Sequence, residues 1–242
     1  MTDDTKSKNC VFIEDTALVI NSSHVVITRP GAPSRQPEPG PVADELRCLG
    51  FERVDALAAP ATLDGGDVQI LPWAVLVGTS KRTNEEAVAQ LRTLLAEAGG
   101  PPVFAFSVGA ATAAAGAGAS TLHFKSVLSA LDPHTLLVAD TPVGRALADQ
   151  IRAVPELAGK LELEFLPDAI AANVLSIGRH CVMQAGKPAS EAILRRLCEA
   201  RGMELHTLCM GELAKADGAL TCCSILFEAP DKQQQQRSSS AR

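Results

Sequence analysis

Aromatic side chains are scarce in this chain, with seven Phe, one Trp and no Tyr among 242 residues. A core must therefore come from Leu, Val, Ile and Ala, which suits strands buried between helices. Residues of the AVILMFWYC set make up 46% of the sequence, ample for such a core. A basic stripe is missing too. The net charge is −6 and Lys and Arg form no run, so the positive footprint that nucleic acid demands is absent. No stretch approaches the roughly 20 apolar residues of a membrane span, and the first ten residues are too polar for a secretory signal. The expectation is a cytoplasmic protein with neither nucleic-acid nor membrane partners, a monomer or weak homo-oligomer.

Cysteine usage excludes more. Seven are present, at 10, 48, 181, 198, 209, 222 and 223. An odd number, irregular spacing and no secretory signal argue against a disulfide framework. No CxxC pair or histidine cluster signals structural zinc. Most of them read as small buried apolar residues, with one or two reactive at most.

What is present is a recurring order of elements. The pattern predicts strands over Ala17–Ile20 and Val25–Thr28, a helix over Pro41–Leu49 and a strand over Phe51–Leu57. The same order recurs as Val68–Leu71, Ala74–Gly78, Asn84–Glu97 and Val103–Phe106, with Thr83 and Glu86 as a capping box for the helix. A third copy runs Val127–Leu131, Thr135–Ala139, Pro142–Ala153, Leu161–Leu166. The fourth runs Asn173–Ile177, His180–Gln184, Ala189–Arg201, Glu204–Leu208. Ala219–Phe227 reads as the opening strand of a fifth. Four strand-strand-helix-strand units with a period near 50 residues are a repeat signal, and units packed about an axis cover one another's faces. Residues 1–8 read as a polar lead and 9–230 as a single catalytic domain. Val108–Ser120, nearly all Ala and Gly, reads as a flexible loop, and 231–242 as a disordered Gln/Ser tail.

Polar residues that a core does not explain stand at matching places in these units. Asp15 to Asp64 is 49 positions, Asp64 to His123 is 59, and His123 to Asp168 is 45. Asn173, and Asp217 with Cys222, complete the set. In a rotary repeat such positions converge on the axis, bringing a cysteine, a histidine and carboxylates into one cavity. Cys222 is the candidate nucleophile, since a thiolate is the reactive form and nearby positive charge favours it. Its neighbour Cys223 would face the other side of a strand. Histidine as a residue type ionises near neutrality, so His123 suits acid/base work, and Asp64 is the candidate to orient it. His24, His134, His180 and His206 lack matching carboxylates and read as ordinary. Asp64-Gly65-Gly66 also makes a good turn without any catalysis. Glu14 and Asp15 would repel across a cavity unless a cation sat between them, a demand that a guanidinium meets. Arg29, Arg35 and Arg82 supply the opposite charge for bidentate capture of a carboxylate. Carboxylates at one end and arginines at the other fit an amino acid with a guanidinium tail.

Seven segments in order then resemble the dimethylarginine dimethylaminohydrolases: CVFIEDTA (10–17), TRPGAPSR (28–35), TLDGGDV (62–68), VGTSKRTN (77–84), LHFKS (122–126), IAAN (170–173) and DGALTCCS (217–224). The resemblance implies a five-bladed α/β propeller, the pentein fold shared with arginine deiminases and amidinotransferases. It implies hydrolysis of N-omega-methylated arginine to citrulline and methylamines through a cysteine thiouronium, which would relieve inhibition of nitric oxide synthesis. It carries over Cys222 as nucleophile, His123 as acid/base and Asp64 as orienting carboxylate. Glu14 and Asp15 match guanidinium-side positions, Arg35 and Arg82 hold the substrate carboxylate, and the Ala216 carbonyl lies near the α-amino group. No cofactor and no metal are implied. Asn9 departs from the family, which has an aspartate there. Family members also begin with a further segment, so the fifth blade is expected to be incomplete at the N-terminus. Two other readings remain open: an arginine deiminase-like amidine hydrolase, and a catalytically silent guanidinium-binding protein.

Overall fold

The computed structural model describes residues 11–116, 118 and 121–228. Asn9, Cys10, the 1–8 lead and the 231–242 tail lie outside them. Among the described residues are four three-stranded sheets. The first comprises β1 (Ala17–Val19), β2 (His24–Ile27) and β3 (Arg53–Ala56), with α1 (Pro39–Cys48) between the last two in the chain. The second comprises β4 (Val68–Leu71), β5 (Ala74–Thr79) and β6 (Val103–Ser107), with α2 (Glu85–Glu97) between the last two. After α3 (Val108–Ala114) comes the third, β7 (Leu128–Asp132), β8 (Thr135–Ala139) and β9 (Glu162–Leu166), with α4 (Pro142–Arg152). The fourth is β10 (Leu175–Ile177), β11 (His180–Gln184) and β12 (Glu204–Leu208), with α5 (Pro188–Ala200). A short α6 (Gly211–Ala214) follows.

Each sheet is built by one rule. Its first two strands pair antiparallel and its last two pair parallel. A short turn suffices for the antiparallel step, whereas parallel neighbours need a crossover, and the helix supplies it.

The chain falls into two compact units. One contains residues up to Gly65, Arg82–Gly100 and the segment from Cys222 onward. Its core gathers Ala17, Val25 and Ile27 of the first sheet with Ala43 and Leu46 of α1 and Phe51. In the same unit α2 buries Ala87, Val88, Leu91 and Leu95, the stripe of an amphipathic helix. The other unit contains Gly66–Lys81 and Pro101–Thr221. Its largest core joins the second and third sheets to α3 and α4 through Leu76, Phe106, Leu136, Val138 and Leu147. A further cluster seats Leu194 and Leu197 of α5 against Cys181 and Met183 of β11.

Three local expectations change. Val108–Ala114 is a helix rather than a loop. Alanine is the strongest helix former, the Ser107 side chain caps the start by accepting the Ala110 N–H at 3.0 Å, and Val108 and Ala111 are buried. The N-cap of α2 is Asn84, not Thr83. Its side chain accepts the N–H groups of Ala87 and Thr62, both at 3.0 Å, while the Thr83 hydroxyl accepts the N–H of Asp64 at 3.2 Å. Ala219–Phe227 is not a strand but contains a 3-10 turn, Thr221–Cys223. No strand among the described residues pairs with it. The segment is anchored instead by side chains: Ile225 packs on the first-sheet core, and Phe227 meets Phe51 edge-on with centroids 5.4 Å apart.

Candidate active site

The first unit carries Glu14, Asp15, Arg35, Asp64, Arg82 and Cys222, and it draws the first five into one constellation. Glu14 and Asp15 lie buried in a 3-10 turn, Ile13–Thr16, that leads into β1. Gly65 fixes the approach of the Asp64 loop to this turn, since a Cβ there would stand 2.0 Å from the Glu14 carbonyl oxygen. Gly31 does the same against Arg82, whose carbonyl oxygen would lie 2.4 Å from an added Cβ. Only glycine permits such close passage of two backbones.

Asp64 is fully buried. Its Oδ1 accepts the Gly31 N–H at 2.7 Å, and its Oδ2 lies 3.9 Å from Nη1 of Arg82, a side chain that remains about one-third exposed. The Asp15 and Asp64 carboxylates come within 4.8 Å of each other. Two buried anions so close need compensating charge, and the arginines supply it. Arg35 is buried and donates from Nη1 to Asp15 at 2.5 Å, from Nη2 to Glu38 at 2.7 Å and from Nε to the same carboxylate at 3.0 Å. Its Nη2 also reaches the Phe12 carbonyl at 2.9 Å. Burial pulls this guanidinium's pKa down, but the bonds it donates to Glu38 and Asp15, with their charges, outweigh it and leave the net shift upward. Arg35 thus holds the carboxylate end of the constellation together. Arg29 serves the loop, donating to the Ala61 carbonyl at 3.2 Å and to Gln36 at 3.3 Å.

Cys222 is half-buried at the centre of the Thr221–Cys223 turn. Its neighbour Cys223 is a poor thiolate, because burial and then the nearby Glu14 charge raise its pKa. Burial likewise pushes Cys181 up to about 12 and raises Cys198. Those two are core residues, but Cys48 and Cys209 are exposed and Cys222 and Cys223 half-buried, so the expectation that most cysteines are buried does not hold among the described residues.

His123 belongs to the second unit. It is buried and begins the Phe124–Ser126 3-10 turn, its N–H donating to Ser126 Oγ at 3.3 Å. The next residue is locked as well. Asp67, fully buried, accepts the Phe124 N–H at 2.8 Å and the Ser80 hydroxyl at 2.7 Å. Phe124 itself lies against Gly78, where an added Cβ would be 2.6 Å from the Phe124 Cβ. Asn173 does similar work for the residue before Cys222. Its Oδ1 accepts the Thr221 N–H at 3.1 Å, and its Nδ2 donates to Thr221 Oγ1 and to the Lys125 carbonyl, both at 3.0 Å. Asp168 is paired with Ser190, accepting its hydroxyl at 2.9 Å. Ala216 is exposed in the turn after α6, and Asp217 follows in the left-handed region at φ 59°.

Sequence reasoning marked Asn173 by position and met Asp67 only within the 62–68 segment, and it assigned neither a role. Their partners, backbone groups and hydroxyls, stand elsewhere in the chain, and no motif displays them. It also misread three histidines as lacking carboxylates. His24 Nε2 lies 2.9 Å from Asp55, and His180 and His206 both face Glu204. Only strand register brings these pairs together.

No protein-family model matches the chain. Individual proteins do. It is 33% identical over 219 residues to the N(G),N(G)-dimethylarginine dimethylaminohydrolase of Streptomyces coelicolor, an alignment covering 89% of this chain and 73% of that protein. A solved structure of the Pseudomonas aeruginosa dimethylarginine dimethylaminohydrolase, a cysteine-to-serine variant with citrulline, superposes with a TM-score of 0.74 at 26% identity, covering 93% of this chain and 78% of that one. A histidine-to-glycine variant of a dimethylarginine dimethylaminohydrolase, as its adduct with S-methyl-L-thiocitrulline, gives a TM-score of 0.72 at 26% identity over 90% and 77% of the two chains. With its repeated strand-strand-helix-strand units and its buried carboxylate–arginine cluster, the chain belongs to the dimethylarginine dimethylaminohydrolase family and has the α/β pentein fold.

Proposed function

We propose that the chain hydrolyses N-omega-methylated arginine, both asymmetric dimethylarginine and monomethylarginine, to citrulline and the corresponding methylamine. The observation that carries this reading is family membership, and the segments that resemble the family supply a cysteine, a histidine and a carboxylate for the chemistry: Cys222, His123 and Asp64. The citrulline and thiocitrulline complexes of the relatives are its chemical counterpart.

The reaction follows from these residue types. The Cys222 thiolate adds to the guanidinium carbon, forming a C–S bond. His123 delivers a proton to the departing dimethylamine as the C–N bond breaks, leaving a covalent thiouronium. A water that gives its proton to the same histidine then adds to that carbon, and the C–S bond breaks to return the thiolate and release citrulline. Asp64 holds the imidazolium charge. Glu14, acidic and buried, supplies negative field for a guanidinium, and Asp15 is assigned to the same end although its carboxylate already accepts from Arg35. Arg82, partly exposed, is the better placed of the two arginines for the substrate carboxylate, since the Arg35 fork already serves Glu38 and Asp15. The Ala216 carbonyl is assigned to the α-amino group. Asn9, where the family has aspartate, removes one guanidinium-side charge.

The setting we assign is a cytoplasmic enzyme of one catalytic domain over 9–230, monomeric or weakly self-associating, needing no cofactor, metal, nucleic acid or membrane. No helix of the described residues is long and apolar enough to cross a membrane. Where nitric oxide is made from arginine, removing methylated arginine relieves inhibition of that synthesis.

The test is to incubate the purified chain with asymmetric dimethylarginine and measure citrulline and dimethylamine together. Equal amounts are expected, with both lost in Cys222→Ser while the fold is retained. Ammonia released from arginine in place of dimethylamine would mean a deiminase, and binding without turnover in the parent chain would mean a silent binding protein.

A further inference from the structure

The parallel ladder of β11 and β12 sets His180 opposite Glu204 and Val182 opposite His206. Residues directly paired in a ladder project to one face, and so do residues two apart along a strand. His180, Glu204 and His206 therefore stand side by side on one face of the fourth sheet, each about half exposed or more. Their polar atoms converge. His180 Nδ1 is 3.0 Å from His206 Nε2 and 3.6 Å from Glu204 Oε2, and His206 Nε2 is 3.9 Å from that same oxygen.

A single shared N–H accounts for the contact between the two rings. It leaves the carboxylate unexplained, because 3.6 and 3.9 Å exceed a hydrogen bond. Two ring nitrogens and an anionic oxygen directed at one point are best satisfied by a cation held among them. A point equidistant from three atoms with these separations lies about 2 Å from each, which is the length of a zinc–nitrogen or zinc–carboxylate bond. Two imidazoles and one carboxylate suit a borderline-soft ion. Calcium and magnesium call for oxygen donors instead.

We propose that His180, Glu204 and His206 form a surface site for a divalent first-row transition-metal ion, with zinc as its simplest occupant. A four-coordinate ion bound there keeps one position for water or an added ligand. The site lies within one sheet, uses none of the residues assigned to catalysis, and does not depend on the proposed reaction.

The test titrates Zn²⁺ into chelator-treated Cys222→Ser protein by calorimetry, a background in which the catalytic thiol supplies no competing ligand. One equivalent is expected to bind, with affinity at least ten-fold weaker in both His180→Ala and His206→Ala. Circular dichroism should stay unchanged, because neither side chain belongs to a core cluster. If a histidine variant fails to fold, Glu204→Gln carries the same expectation of weakened binding. A parent protein that takes up no zinc, or variants that bind it with parental affinity, would overturn the site.

Discussion

Arg35 and Arg82 show how two residues of one type, expected to do one job, are separated by burial. The Arg35 guanidinium is enclosed and shared between Asp15 and Glu38. The Arg82 Nη1 lies 3.9 Å from Asp64 Oδ2, and its side chain is about one-third exposed. Removing one partner from a buried ion network leaves the other charges uncompensated, at a cost of about 3–5 kcal/mol. Arg35→Met is therefore expected to lower the unfolding free energy by about that much in urea titration. Arg82→Met should change stability by less than about 1 kcal/mol and act on KM for the methylated arginine instead. Equal destabilisation by both would contradict the division. Asn173 is a positioning residue of the same kind, because its amide ties Thr221 to the Lys125 carbonyl. Asn173→Ala should cost about 1–3 kcal/mol through unsatisfied buried groups and lower kcat more than it raises KM. An Asn173→Ala protein of parental stability and kcat would show that the clamp does nothing.

Among the elements, the 3-10 turn that begins at His123 rests on β5 through one glycine. Gly78 faces Phe124 and Val108, and an added Cβ would come within 2.6 and 2.8 Å of them. Gly78→Ala should therefore overpack this contact, destabilising by about 1–3 kcal/mol and lowering kcat by displacing His123. Stability and kcat measured on the same preparation decide it, since loss of stability with full kcat would mean the turn is set by Asp67 alone. The elements also show what was legible beforehand. Four of them, Val68–Leu71, Thr135–Ala139, His180–Gln184 and Glu204–Leu208, have the predicted bounds, because apolar runs between turn residues are local signals. The helix after β6 was missed because Ala and Gly together suggest a linker, while the choice rested on burial of Val108 and Ala111. The strand expected over Ala219–Phe227 failed for the converse reason. A β-prone segment becomes a strand only with a partner ladder.

For the molecule as a whole, stability is expected to decline in acid. Burial lowers the His24 pKa despite the opposing bond from Asp55, so the folded state favours neutral His24. Its contribution is present above the ordinary histidine value of about 6.5 and is lost as pH falls below it. Asp55 and Asp132 act in the same sense lower on the scale. Burial raises both, but hydrogen bonds from Arg53 and His24, and from His134 and Thr135, outweigh it and hold both carboxylates below their usual range. Their contribution is lost as pH falls through those lowered values. Melting temperature should thus fall on going from pH 7.5 to 5, and His24→Gln should flatten the upper part of that slope. A profile unchanged by the substitution would remove His24 as the cause.

By itself the sequence determined the repeat, the helices and strands within it, the family resemblance and the residue types of the proposed site. These depend on spacing and local chemistry, which one chain displays directly. Tertiary structure alone decided which arginine is consumed in holding Asp15, that Asn173 and Asp67 clamp distant backbone groups, and that three unremarkable residues meet on one face of β11 and β12. Residues 180, 204 and 206 carry no common motif. They become neighbours only because a parallel ladder adopts one register out of several, and that register is set by which side chains the sheet buries.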